Sequence, residues 1–273
     1  MKLITDFGKG FINCFRAFTP LFEKNLWPFL LYPLLIWIGM WVLSIYGLIS
    51  LADYIDSLIQ PYLNPDSAAD TALMLWLKPK LGGVFGFLIK WILHIILWFL
   101  GSIFLKYFLL IILSPLFALL SEITDEKLSG KKFPFSLKQL LKDILRGTAI
   151  SIRNLLFELV ISFALWLATL FIPPIAIVTI PLSFVIGWYF IGFSIMDYNC
   201  ERYKFSMSKG VQFIKEHKGY AIGIGCVYSI FLALPTIAGD AIGIMFGPTL
   251  AVIGATMSFL KINETPSQPS QLS

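Results

Sequence analysis

From Trp27 to Leu51 the chain carries no charged residue. A run of that length crosses the ~30 Å hydrocarbon core of a bilayer at ~1.5 Å per residue, even when tilted. A helix on a soluble protein needs a polar face toward water, and this run has none to offer. It reads as a first full span over 27–51. Pro28 stands near its start, where a missing N–H is harmless, and Pro33 one turn later is tolerated or bends the helix slightly. Other apolar blocks follow, and at 58% hydrophobic and 14% charged residues the chain cannot cover a soluble surface, for which about 25% charged is usual. The expected fold is therefore an all-α integral membrane protein, organised as a single helical membrane domain over 1–262. The tail 263–273, rich in Ser, Gln and Pro, is expected to be disordered.

Ahead of the first span, Phe7, Phe11, Cys14, Phe15, Phe18 and Phe22 recur at helical spacing, with Lys9, Asn13, Arg16 and Glu23 on the other side of the wheel. This predicts an amphipathic N-terminal helix lying in the membrane interface; packing of the same face on the protein is the alternative. Asp6, Lys9, Arg16 and Glu23 spoil the apolar core of a cleavable signal, so the N-terminus is expected to be retained. Residues 52–80 form an acidic loop with Asp53, Asp56, Asp66 and Asp70, broken by three prolines. The next apolar stretch, Val84 to Leu120, would measure about 55 Å as one helix. It must overshoot the bilayer or bend, and Ser114-Pro115 is the place to bend; the second full span is set at about 84–113.

After that span the charge changes sign. Lys127, Lys131, Lys132, Lys138, Lys142, Arg146 and Arg153 form a basic segment, and the N-terminus and 202–218 are basic too. Lysine and arginine stay on the cytoplasmic side, which places these three segments inside, the acidic loop outside, and both termini in the cytoplasm. The net charge of +5 thus concerns lipid head groups rather than nucleic acid. Between the basic segments the chain must leave and return twice, as two helical hairpins over 155–196 and 220–260. The first turns at Pro173-Pro174 and the second near Pro235, in similar surroundings: Leu170-Phe171-Ile172-Pro173 against Leu232-Ala233-Leu234-Pro235. Each follows a basic amphipathic stretch, so a duplicated unit of surface helix plus hairpin is one reading and chance similarity in apolar sequence is the other. The arm 220–234 is short for a crossing, which favours hairpins that penetrate half the membrane against protein or a watery cavity. Oligomerisation or a pore then follows.

Lys90 and His94 share one face of the second span and either line an anion path or serve the interface and helix packing. Asp240 is a deep carboxylate if the second hairpin stops at mid-membrane, and an ordinary turn residue beside Gly239 if it crosses. Cys14, Cys200 and Cys226 form no Cys-x-x-Cys pair and His94 and His217 lie far apart, so neither a metal site, a cofactor nor a disulfide framework is expected. No glycine-rich phosphate loop, His-Glu-x-x-His or nucleophile elbow occurs, and an enzyme is not expected.

At Ser114-Pro-Leu-Phe-Ala-Leu-Leu-Ser-Glu122, Phe171-Ile-Pro173, Asp197-Tyr198 before the basic stretch from Arg202, and Gly254-Ala-Thr256, the chain resembles the etoposide-induced protein family, whose bacterial members include the CysZ-like sulfate permeases. The resemblance implies an amphipathic first helix, two long transmembrane helices and two pairs of hemi-penetrating helices, in a homo-oligomer of the cell inner membrane that conducts sulfate for cysteine biosynthesis. Its motifs place Glu122 and Asp197 at the cytoplasmic edge near Arg153 and Arg202, where an acid–base cluster would either tie the hairpins to the long helices or influence gating. Where such permeases carry an arginine pair at the start of the first long helix, this chain has Trp27-Pro28, which removes two anion-pairing side chains. A membrane scaffold that binds lipids and partners without transport is the competing reading. The charge pattern predicts that a cysteine introduced within 52–80 reacts with a membrane-impermeant maleimide from outside, whereas one within 127–132 reacts only after permeabilisation; the reverse pattern inverts the topology.

Overall fold

The computed structural model describes residues 1–39, 42, 46, 107, 110–132, 137–234 and 237–264. The chain divides into two compact units, Met1–Leu34 with Lys106–Ser273, and Leu35–Leu105. The second unit contributes only the end of one helix and two isolated residues to the described set. The acidic loop, most of the second span and the terminal tail lie outside the described residues.

In chain order the helices are α1 (Lys2–Arg16), α2 (Phe18–Glu23), α3 (Trp27–Gly39), α4 (110–129), α5 (Leu137–Phe171), α6 (Ala176–Arg202), α7 (Met207–Glu216), α8 (Lys218–Leu232) and α9 (Ile237–Glu264). No strand occurs among the described residues, and the protein is an all-α membrane protein. α3 opens as a 3-10 turn, Trp27–Leu30, with Pro28 in its first positions, where the absent N–H costs nothing. α4 stays helical through Ser114-Pro115, the expected place to bend. A short 3-10 turn, Pro173–Ile175, closes the first hairpin.

The first unit is built around α8, which packs against α1, α6 and α9. Its sequence, Lys-Gly-Tyr-Ala-Ile-Gly-Ile-Gly-Cys, places glycines on two sides. A Cβ on Gly219 or Gly223 would stand 2.6 Å from Leu3 O or 2.4 Å from Phe7 O of α1, and one on Gly225 would stand 1.8 Å from Trp188 O of α6. The partners answer with their own glycines: Gly10 of α1 lies against the Tyr220 carbonyl and Gly192 of α6 against that of Ala221. In lipid, where apolar burial does not drive helices together, such backbone proximity and the dispersion it permits hold them.

This arrangement decides which face of α1 is inside. Asp6, Gly10, Asn13 and Cys14 are buried, while Phe15 and Phe22 are exposed and Phe7, Phe11 and Phe15 follow one another at ring separations of 6.0 and 5.1 Å. The aromatic side remains available to the membrane interface, but Asn13, expected on the polar outer side, instead donates to Ser258 Oγ at 2.9 Å and accepts from Lys261 Nζ at 2.8 Å. Gly254 of α9 lets Cys14 come this close. Burial, with Cys226 nearby, pushes the Cys14 thiol up. All three cysteines are buried and free, giving a quiet background for labelling experiments.

The basic stretch before the first hairpin is continuous with its first arm: α5 is one helix of 35 residues, about 52 Å long. The corresponding stretch before the second hairpin is separate, because the chain breaks at His217 between α7 and α8. The two hairpins therefore differ in construction. Leu145–Phe171 and Pro173–Arg202 are each long and apolar enough to cross a membrane, as is Gly239–Asn263, whereas α8, at 15 residues or about 22 Å, is short for a crossing. A half-crossing excursion thus suits the first arm of the second hairpin, while the length of the first hairpin also permits a full one. Only 17% and 22% of the most apolar stretches of α5 and α6 are buried, against 78% for α9, so the first hairpin presents lipid-type surface and α9 is core.

Replacing Gly225 or Gly192 with leucine should abolish the monodisperse folded peak in detergent size-exclusion chromatography, because a backbone carbonyl cannot yield as a side chain can; even alanine should cost at least the ~1–3 kcal/mol of an overpacked core. Gly8→Ala, with nothing within 4 Å of the added carbon, should leave the peak and the melting temperature unchanged or improved.

Candidate functional site

The last turns of α6, Phe190 to Glu201, are buried almost without interruption and carry polar side chains on all sides. A charged helix end can be buried only if each group finds a partner, and here each turn addresses a different element. Toward α5, Arg146 grips Asp197 with two parallel bonds, Nε to Oδ2 at 3.0 Å and Nη2 to Oδ1 at 2.8 Å, while its Nη1 donates to the Phe205 carbonyl beyond the end of α6. Gly210 of α7 covers this pair; a Cβ there would stand 2.7 Å from the guanidinium. The Ser206 side chain caps α7 by accepting from the Lys209 N–H.

Toward α4 the next turn does the same with the roles reversed. Arg202 pairs with Asp125 at 2.8 Å and donates to Ser121 Oγ at 2.5 Å and Asn199 Oδ1 at 2.8 Å. Asp125 is wholly buried and also accepts from Ser129 Oγ at 2.7 Å. Ser121 lies 3.1 Å from Thr256 Oγ1, which brings α9 into the network. Two arginine–carboxylate pairs of opposite polarity therefore clamp α6 to α5 and α4, with α7 and α9 closing over them.

A third polar feature runs along α5. Ser151, Asn154, Glu158 and Ser162 are buried at helical spacing, while Leu156, Phe157, Val160 and Phe163 are exposed. Asn154 donates to Ser194 Oγ of α6 at 2.9 Å, and Glu158 accepts from the Tyr107 hydroxyl at 2.7 Å. The helix is amphipathic in the membrane sense, with its polar side toward protein and its apolar side toward lipid.

Of the residues singled out in the sequence, Asp197 and Arg202 stand in this network, but Asp197 is paired with Arg146 and not with Arg153. Glu122, half-buried on α4, lies within electrostatic reach of Arg202. Arg153 is half-buried against the rings of Phe157 and Phe193, with 5.3 and 5.2 Å from its guanidinium carbon to the ring centres. Asp240 is exposed in the first turn of α9, where a carboxylate suits the positive end of the helix dipole. Lys90 and His94 fall outside the described residues. Sequence reasoning missed Arg146, Asp125, Asn154 and Glu158 as site members. The 151–154–158–162 stripe was a usable signal; the arginine partners were not, since nothing local distinguishes Arg146 from its basic neighbours. No group of His, Cys, Asp and Glu suited to a metal ion occurs among the described residues. An open cleft of ≈ 320 Å³ lined by Arg16, Thr19, Pro20, Glu23, Lys24, Leu128 and Met257 lies apart from these pairs, between α2 and the ends of α4 and α9.

Among known families, the one described as sulfate transporter CysZ/etoposide-induced protein 2.4 matches residues 13–238. No curated protein matches the chain.

Removing one member of a buried ion pair strands the other. Arg146→Ala and Asp197→Ala should each destabilise the protein by about 3–5 kcal/mol, read as loss of the folded peak or a large fall in melting temperature. The double replacement Arg146→Met with Asp197→Leu should recover most of that loss; a double variant as unstable as the summed singles would mean that the two side chains are not partners.

Proposed function

Because the chain belongs to the sulfate transporter CysZ/etoposide-induced protein family, we propose that it is a permease or channel for a small inorganic anion, sulfate foremost, supplying cysteine biosynthesis across the cell inner membrane. The observation that carries this reading is the polar side of α5. A helix whose Leu156, Phe157, Val160 and Phe163 face outward keeps Ser151, Asn154, Glu158 and Ser162 inside. Buried polar groups at membrane depth cost free energy unless satisfied, and such groups mark ion and substrate routes.

In this reading the basic segments raise the local anion concentration at the cytoplasmic face, and the Arg146–Asp197 and Arg202–Asp125 pairs hold the α5–α6 hairpin against α4. The route would be completed in a homo-oligomer, with α8 entering the membrane only part-way. Chemistry on the anion is not part of the proposal.

Purified protein incorporated into liposomes should take up radiolabelled sulfate faster than empty vesicles, with selenate or molybdate competing and equal chloride not. Uptake equal to that of empty vesicles, at verified incorporation, would overturn the permease and favour the scaffold. Asn154→Leu, which removes an inward polar group without stranding a charge, should lower the rate severalfold at unchanged folded yield.

A further inference from the structure

Three arginines, Arg146, Arg153 and Arg202, reach into the α5–α6 region, and two of them are neutralised by Asp197 and Asp125. Arg153 differs. Among the described residues no carboxylate pairs with it and no oxygen accepts from it; one terminal nitrogen, Nη1, is removed from solvent without a hydrogen-bond partner. Its surroundings are aromatic: Phe157 one turn along α5, Phe193 on α6, and Tyr189 one turn earlier on α6, in edge contact with Phe193 at 5.8 Å and within electrostatic reach of the guanidinium.

Among the described residues the guanidinium meets only aromatic faces, and cation–π attraction offsets only part of what partial removal from water costs an ion. Aromatic faces also supply no lone pairs, so a guanidinium with five N–H donors in a fixed fork is left unused as a donor. That fork matches two oxygens of a tetrahedral oxyanion. The aromatic corner excludes water from one side and so strengthens any ionic contact made there, while the side chain's half-burial leaves the other side approachable.

We propose that Arg153 is the anion-coordinating residue of this chain: its guanidinium, held in the Phe157–Tyr189–Phe193 corner between α5 and α6, binds a tetrahedral oxyanion directly. The assignment deepens the permease reading and rests on it for the identity of the anion as sulfate. A lipid phosphate presents the same oxygens, and Ile152, Leu156 and Phe157 beside it form an exposed apolar surface, so the source of the oxyanion is for experiment to separate.

The full chain in neutral detergent should be stabilised against heat by sodium sulfate over sodium chloride at equal ionic strength. Arg153→Gln should raise the half-saturating sulfate concentration at least about tenfold, which corresponds to ~1.4 kcal/mol, and Arg153→Lys should fall between, since it retains charge but lacks the planar fork. The same comparison in phosphatidylcholine nanodiscs with and without phosphatidylglycerol tests the other source. Loss of only the phosphatidylglycerol effect in Arg153→Gln keeps the site and makes its occupant a lipid phosphate. If neither sulfate nor phosphatidylglycerol distinguishes the variants from the parent, the site is overturned; should Arg153→Gln fail to give the folded peak, the lysine variant carries the comparison. Vesicle flux separates the two proposals: a parent protein that binds sulfate through Arg153 yet conducts none ends the permease and leaves the site, whereas a parent that conducts while Arg153→Gln conducts and binds equally ends the site and leaves the permease.

Discussion

Backbone-to-backbone contact at α8 is the constraint on which the first unit depends. Gly219 and Gly223 admit α1, Gly225 admits α6, and Gly10 and Gly192 return the approach from the partner helices. Where lipid removes the hydrophobic incentive for helices to associate, close approach and the many small dispersion contacts that it allows must replace it. With α8 so enclosed, α9 becomes core and α1 is fixed with its small and polar residues inward. The last turns of α6 are drawn into the interior, and their charges must then be satisfied there.

That requirement explains the ion pairs. Asp197 and Arg202 lie little more than one turn apart near the end of α6, and burying both would be prohibitive without opposite charges from two other helices. Arg146 on α5 and Asp125 on α4 supply them. The pairs define one relative placement of three helices far more than they add net stability, because desolvation offsets most of their attraction. Gly210 contributes by absence, since any side chain there would displace the guanidinium that it covers. The stripe on α5 follows the same rule in part: Asn154 meets Ser194 and Glu158 meets Tyr107, while leucine, valine and phenylalanine stay on the exposed side.

Much of this was legible beforehand. Uncharged blocks and the placement of lysine and arginine announce a helical membrane protein, and short motifs such as Phe171-Ile-Pro173 and Asp197-Tyr198 carry its family. The hairpin turn at Pro173-Pro174 and the α7–α8 basic stretch were found at their places. Less legible was the inside of α1, because Asn13 looks like a surface residue on a helical wheel and becomes interior only through Ser258 and Lys261, which are nearly the whole chain away. The partner of Asp197 was illegible for the same reason. Arg146 and Arg153 both lie on α5, some 50 residues before Asp197, and only the packing angle of α5 on α6 selects between them.

What the amino-acid order determined alone is therefore whatever depends on local period and transfer free energy: which segments are helical and apolar enough to seek hydrocarbon, and where the paired prolines Pro173-Pro174 turn the chain. Tertiary structure alone decided which carboxylate meets which arginine, which glycines carry a helix crossing, and which arginine, among the described residues, meets aromatic rings instead of an acid. Those outcomes turn on ångström-scale distances between residues remote in the chain, and no periodicity along one helix encodes the rotation at which its neighbour will be met.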